Sequence, residues 1–392
     1  MKEFIEGSHA VAQIVKRCRP GVVSAYPITP QTHIVEDLAQ MVSNKELDAQ
    51  FVNVESEHSA ASVVLGAEAT GVRSYTATSS QGLLLMTEVV FNIAGMRLPV
   101  VMTTANRAIS APINIWNDQQ DVMAVRDSGW VLLFAESVQE AVDLHLQAYK
   151  LGEDPDVMLP VMVNMDGFIL THGMEVVDMP TQEQVDAYLP PYKTTYKLDV
   201  DDPKTMGYLA DPDYYLEIRS LVQETHRELL EKIPQMASEF QKTFGRECGG
   251  LIQTYRMEDA DQAFIAAGSV CGTIRQAIDE LREKGKKVGL VKIACYRPFP
   301  KAALVAALKN VKEAAVVDKS ISLGGFGPFY TDATSSLSSL GAGMPKVSGF
   351  VLGLGGRDIT VKSIHDVYEK LSGRQVDCEF IGLKQELLAE TE

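Results

Sequence analysis

The chain has 392 residues, too many for one compact core, so about two to three domains are expected. Apolar residues make up 46% and charged residues 22%, which excludes a mostly disordered chain. Acidic side chains outnumber basic ones by 52 to 36, and the net charge of −16 disfavours nucleic acid and anionic membrane as partners.

The first twenty residues, MKEFIEGSHAVAQIVKRCRP, show no long apolar core and no small-residue cleavage pattern. No later stretch approaches the ~20 uninterrupted apolar residues of a membrane span, so a cytoplasmic protein is expected. Ser8 is placed as the cap of a helix running to Cys18, with Ala10, Ile14 and Val15 on one side. A strand over 21–26 ends abruptly in the sequence PITP, and a helix is expected from His33 to Val42. The strand Gln50–Val54 leads to an Ala-rich helix after Glu57. Ser74–Ala77 reads as a strand, Thr78–Gly82 as a polar turn and Leu83–Ile93 as a helix. The strand Leu98–Thr103 feeds a loop over 105–121, and Val131–Phe134, a helix Gln139–Leu151 and Pro160–Val163 complete a βα-rich unit over 1–170.

Residues 171–259 break that alternation. Residues 171–260 hold 17 acidic and 9 basic side chains, half of the chain's whole acid excess. Six of the thirteen tyrosines (Tyr188, Tyr192, Tyr196, Tyr208, Tyr214, Tyr215) fall within 28 residues, too aromatic for a disordered linker. The segment is read as an ordered arm on a partner surface, then a long helix from Asp213 with a kink at Pro234. A second α/β unit occupies 260–392. Its expected strands are 263–269, Val288–Ile293, Ala314–Asp318 and Phe350–Leu352, with helices at Ile274–Lys284, at Ala302–Leu308 and after Gly324.

Metal chemistry is expected elsewhere. The five cysteines are scattered, the closest pair 23 residues apart, without the C-x-x-C spacing of zinc ribbons or ferredoxin-type clusters, and such a set fits a reducing compartment. The seven histidines include no H-x-x-x-H pair. No metal ligand is therefore assigned to this chain.

In open α/β sheets, ligands bind beyond the carboxyl ends of the strands. Four unusual segments sit at such ends: YPITP (26–30), ESEH (55–58), TSSQG (78–82) and NRAIS (106–110). The two prolines around Thr29 make either a structural turn or a stiff loop that fixes a hydroxyl beside a substrate carbonyl. Glu57 reads as a first-turn carboxylate favoured by the helix dipole, or as a functional acid. Arg107 is either a solvated surface arginine or a clamp for a carboxylate. The glycine-rich turn at 353–358 lacks the G-x-G-x-x-G fingerprint and reads as a strand-to-helix turn, or as a place where Arg357 reaches a phosphate or a partner chain, while 324–327 reads as close backbone packing.

Taken in order, YPITP, ESEH, TSSQGLLLM, AGMRLPVVM and ANRAISAPINIW, followed by AAGSVCGTIR, RPFP and VVDKSISLGGFGPFY, resemble the α subunit of 2-oxoacid:ferredoxin oxidoreductases, most of all the pyruvate enzymes. The resemblance implies an α/β fold: a thiamine diphosphate-binding domain of the pyrimidine type, followed by a transketolase C-terminal-like domain. It implies that Glu57 hydrogen-bonds the cofactor's aminopyrimidine ring, and that Thr29 and Arg107 receive the substrate's keto oxygen and carboxylate. Tyr26, Pro27, Ile28 and Gln81 match cofactor-lining positions. His9 stands where relatives often carry glutamate or asparagine.

The chain lacks the G-D-G sequence that holds diphosphate and Mg²⁺; Met165-Asp166-Gly167 comes nearest and reads as a strand end. The resemblance thus implies half of an active site. A β subunit would share the cofactor, Mg²⁺ and [4Fe-4S] clusters would lie on partner subunits of the β, γ and δ type, coenzyme A would be the co-substrate and ferredoxin the electron acceptor. Alternatives are the β chain of the decarboxylating component of lipoate-dependent dehydrogenase complexes, a ferredoxin oxidoreductase for another 2-oxoacid, and a non-enzymatic scaffold of the same fold.

Overall fold

The structure is a computed structural model that describes residues 2–389. The chain divides into two compact α/β units, Met1–Leu251 with Ala294–Pro300, and Ile252–Ile293 with Lys301–Glu392.

Eight strands of the first unit are labelled in order: β1 (Lys2–Glu6), β2 (Val22–Val23), β3 (Gln50–Phe51), β4 (Ser74–Thr78), β5 (Val101–Asn106), β6 (Val131–Phe134), β7 (Val161–Asp166) and β8 (Met174–Asp178). A seven-stranded sheet runs Cys295–Arg297, β6, β7, β5, β4, β2, β3. All its neighbours are parallel except Cys295–Arg297, which pairs antiparallel with β6. Every residue of β4, β5, β6 and β7 is buried, as a parallel sheet covered on both faces requires. On one face, the helices Gly7–Cys18 and Val138–Gly152 place Ala10, Val11, Ile14, Val142 and Leu146 into a core with Tyr75, Val101 and Val163.

Several expected boundaries move. β1 was not foreseen, because it pairs antiparallel with β8, 172 positions away in the register Lys2↔Asp178 to Glu6↔Met174, and leaves no local signal. Ser8 does not cap the first helix. Glu6 holds the cap position and Ser8 Oγ donates to the Thr171 carbonyl at 2.9 Å. The strand expected over 21–26 is regular only at β2, although Ser24 N still donates to the Tyr75 carbonyl at 3.2 Å. The helix expected over 83–93 is two helices, Ser80–Leu85 and Thr87–Gly95, separated at Met86.

The acidic, Tyr-rich segment belongs to the first unit. A short helix, Gln182–Tyr188, opens on a capping box between Thr181 and Gln184. Tyr188 is buried edge-on against Phe240 and Phe244. The long helix Pro212–Phe244 runs through Pro234 and seats Leu229, Ile233, Met236 and Phe240 in the core. Between the two helices the backbone is irregular, and Tyr196, Tyr208, Val200 and Leu209 are exposed.

The second unit holds a six-stranded sheet in the order Glu379–Phe380, Lys346–Val351, Glu313–Asp318, Gln262–Ala266, Val288–Ile293, Ile252–Tyr255, parallel except for the last pair. Of its glycine-rich segment at 324–327, expected to pack closely, only Gly327 does so, while Gly324 and Gly325 are exposed. A Cβ on Gly327 would lie 2.1 Å from Asp318 Oδ2, and Asp318 accepts the Phe329 and Tyr330 amides at the start of helix Pro328–Leu337.

Candidate active site

The carboxyl ends of β2, β3, β4 and β5 lie side by side in the sheet, and the four segments singled out in the sequence leave from them. After β2, residues 26–31 form a tight turn in which the Gln31 amide donates to the Ile28 carbonyl at 2.9 Å. Gln31 is fully buried and its Nε2 donates to two carbonyls, Tyr26 at 2.8 Å and Ala77 at 3.1 Å. That side chain fastens the turn to β4. Pro30 packs into the space left by the missing side chain of Gly167, where a Cβ would sit 2.7 Å from the ring. The turn thereby presents Tyr26, Pro27 and Thr29 to solvent, with Ile28 half-buried.

Arg107 follows β5 and is only 8% exposed. Its Nη1 donates to the Thr29 carbonyl at 2.9 Å and its Nε to the Asn114 carbonyl at 3.1 Å. Burial pulls its pKa down, and Asp121 opposes that shift. Thr29 and Arg107 are thus joined directly, although 78 residues apart.

Glu57 opens the helix Glu57–Ala69, whose cap is Ser56, with Ser56 Oγ accepting the Ser59 amide at 3.3 Å. The carboxylate is 7% exposed, and no hydrogen-bond or ion-pair partner is found for it among the described residues. It lies over Gly82: a Cβ there would stand 2.6 Å from Glu57 Oε1 and 2.5 Å from Thr78 Oγ1. Glycine at 82 is what admits the carboxylate. Gln81, next to it, has a buried Nε2 without a partner, and so does Thr78 Oγ1. A buried carboxylate beside unsatisfied polar atoms is costly unless a ligand completes the set. No direct bond links Glu57 to Thr29 or Arg107 among the described residues; they share the strand ends, and Gln31 fastens the Thr29 turn to β4.

Sequence reasoning missed Asp121, on which the site's two loops converge. Its carboxylate accepts the Ser80 amide (2.9 Å), the Arg107 amide (3.0 Å) and Asn106 Nδ2 (3.0 Å). Burial pushes its pKa up to about 7 against those three donors. Ser80, at φ +48°, also donates its hydroxyl to the Ala108 carbonyl. Asp166, at the end of β7, accepts Asn117 Nδ2 at 3.1 Å and Gln119 Nε2 at 3.3 Å, which organises the 107–119 loop. None of these contacts has a signal in residue spacing.

Spatial proximity brings together residues that share no metal-ligand spacing in the sequence. Glu6, His9 and His33, from three positions in the sequence, come together with ligand atoms all within 4.8 Å of one another. No helix among the described residues is long and apolar enough to cross a membrane.

Comparison with known proteins identifies the family. Residues 13–238 match the family described as pyruvate flavodoxin/ferredoxin oxidoreductase, thiamine diphosphate-binding, and residues 260–364 match pyruvate:ferredoxin oxidoreductase core domain II. The chain is 49% identical to pyruvate synthase subunit PorA of Methanosarcina barkeri, over 98% of this chain and 97% of that one. It is 43% identical to ketoisovalerate oxidoreductase subunit VorA of Pyrococcus horikoshii, over 95% and 94%. Among solved structures, the 2-oxoglutarate:ferredoxin oxidoreductase of Magnetococcus marinus, with 2-oxoglutarate, coenzyme A and succinyl-CoA bound, aligns with a TM-score of 0.73 at 20% identity. That alignment covers 95% of this chain and 65% of the other, so the chain spans about two thirds of the longer protein. A split-gene transketolase aligns at a TM-score of 0.55 and 12% identity, over 94% and 98%. Both likenesses concern the fold, an α/β thiamine-enzyme architecture.

Proposed function

Because the chain belongs to the pyruvate flavodoxin/ferredoxin oxidoreductase family, we propose that it is the α subunit of a pyruvate synthase. In this reading the complex oxidises pyruvate with coenzyme A to acetyl-CoA and CO₂, reversibly, and passes electrons to ferredoxin. Partner subunits of the β, γ and δ type carry Mg²⁺ and the [4Fe-4S] clusters, and the enzyme is cytoplasmic. Residues 1–170 form the pyrimidine-binding domain, 171–259 the acidic arm with its long helix, and 260–392 the transketolase C-terminal-like domain.

The buried, unpartnered carboxylate of Glu57 carries the assignment. It fits thiamine diphosphate, whose aminopyrimidine offers a ring nitrogen to hydrogen-bond with such an acid. When bound, that cofactor would supply an acidic ring carbon able to add to the keto carbon of a 2-oxoacid. Glu57 would hold and move a proton at the pyrimidine nitrogen, while Tyr26, Pro27, Ile28 and Gln81 line the cofactor. Arg107 keeps N–H groups beyond those given to the Thr29 and Asn114 carbonyls, and a substrate carboxylate is their natural acceptor. Thr29, on a turn fixed by Pro30 and Gln31, would offer its hydroxyl to the keto oxygen. The small residues Ser110, Ala111 and Pro112 beside Arg107 favour pyruvate over branched 2-oxoacids.

The test is Glu57→Gln in the assembled, cofactor-saturated complex. General acid–base contributions are about 10²–10⁴-fold, and pyruvate turnover should fall by that order with assembly intact. Gly82→Ala, which displaces the same carboxylate, should also depress turnover. Wild-type turnover in Glu57→Gln, or a preference for 2-oxoisovalerate over pyruvate in the wild type, would overturn the assignment.

A further inference from the structure

Glu6 ends β1 and caps the helix Gly7–Cys18, His9 lies in that helix's first turn, and His33 lies in the first turn of the helix Thr32–Ser43. Glu6 reaches both rings: its Oε1 is 2.6 Å from His33 Nδ1 and its Oε2 is 3.8 Å from His9 Nε2. The two imidazoles lie nearly parallel, 8° apart, with centroids separated by 5.7 Å. Asp37, one turn beyond His33, engages the other nitrogen of His9, Nδ1, from the far side. From these contacts we infer that Glu6, His9 and His33 form a binding site for a divalent first-row transition ion, with Asp37 orienting His9.

Four observations carry the site. Two imidazoles and a carboxylate are the donor set that first-row ions of the zinc and iron type take, whereas Mg²⁺ and Ca²⁺ call for oxygen alone. A ligating histidine usually gives its second ring N–H to a carboxylate, which fixes its tautomer, and the Asp37–His9–Glu6 sequence has that order. Bonds of about 2.0–2.1 Å to one ion place neighbouring ligand atoms roughly 3.3 Å apart. The three atoms here already lie within 4.8 Å of one another, and both imidazoles are half-exposed. Finally, the side chains of His9 and His33 are 44% and 40% exposed, so the ion has an entry path and a place for water as a further ligand.

His172 approaches the His33 ring, with centroids 4.9 Å apart, and is held by Thr171. Since the helix Thr32–Ser43 starts directly after the Tyr26–Gln31 turn, an ion here would clamp that turn's helix to the N-terminal one. The site is independent of the proposed thiamine chemistry.

Co²⁺ is the probe, because its visible spectrum reports nitrogen and oxygen ligation, with Zn²⁺ as competitor. The full chain should bind one equivalent of Co²⁺ and lose the spectrum on adding Zn²⁺. Asp37→Asn should weaken binding about ten- to a hundred-fold. His33→Gln, which retains a hydrogen-bond donor toward Glu6, should abolish binding at equimolar metal without lowering the thermal midpoint of the metal-free chain. His172→Ala should bind as the wild type does. Absence of a Co²⁺ spectrum, or a spectrum that persists in the His9→Ala/His33→Ala double variant, overturns the inference.

Discussion

Arg107 holds two loops and, in the proposed reading, also receives the substrate carboxylate. Its planar fork gives Nη1 and Nε to backbone carbonyls of Thr29 and Asn114, so replacing it both removes a charge and releases the turn that carries Thr29. A charge-assisted contact contributes about 1.5–3 kcal/mol, and Arg107→Ala should lower kcat/KM for pyruvate roughly ten- to a hundred-fold or more. Arg107→Lys should restore only part, since an ammonium cannot bridge both carbonyls and a carboxylate. Steady-state kinetics on the assembled complex decide; an unchanged kcat/KM in the alanine variant removes Arg107 from substrate binding. At this scale the sequence was legible wherever a chemically costly residue stood in an otherwise apolar or rigid stretch: Thr29 between two prolines, Glu57 before an apolar helix, Arg107 among small residues. It was silent on Gln31 and Asp121, whose roles come from backbone groups that reach them across the sheet.

The element that bears Glu57 at its start carries another acid near its end. Glu68 is buried; its Oε1 accepts the Ser74 amide at 2.7 Å and Ser74 Oγ at 3.1 Å, and its Oε2 has no partner. These bonds tie the helix Glu57–Ala69 to the first residue of β4. Burial pushes the Glu68 pKa up to about 8. The folded chain therefore retains a proton that the unfolded chain has already lost above its ordinary pKa of 4.5. Stability should fall as pH rises from about 4.5 to about 8, by up to roughly 1.4 kcal/mol per unit from this group, and level off beyond. Glu68→Gln, which imitates the protonated acid, should be as stable as the wild type at pH 5 and more stable at pH 8. Denaturant midpoints of the full chain at the two pH values measure it, and parallel midpoints in both proteins count against the assignment. Alanine-rich composition made this element visible in the sequence, and near-helical apolar spacing did so for the long helix Pro212–Phe244. The break at Met86 was not visible, because Leu83–Ile93 keeps an apolar pattern through a residue whose backbone leaves the helix.

At the scale of the whole molecule, the relatives that the chain matches over nearly their full length are named as subunits. The order of motifs made the fold class and the family readable, and four of the motif segments sit at strand ends that one parallel sheet brings side by side. Pairings between distant segments, such as β1 with β8 or the meeting of Glu6 with His33, leave no trace in local pattern. What the chain offers to a cofactor is a carboxylate, a glycine that makes room for it, and a turn; Asp166, in the nearest sequence to a diphosphate motif, is already occupied by Asn117 and Gln119. A diphosphate with its hard cation needs several oxygen ligands around the metal, and the residues that line the proposed site do not provide such a set. The purified single chain, given thiamine diphosphate, Mg²⁺ and an artificial electron acceptor, should therefore not turn over pyruvate, and calorimetry should show cofactor binding far weaker than in the complex. Addition of the partner subunits should restore both together. Turnover by the single chain would place the missing half of the site on this chain after all, and would refute the division of the active site between subunits.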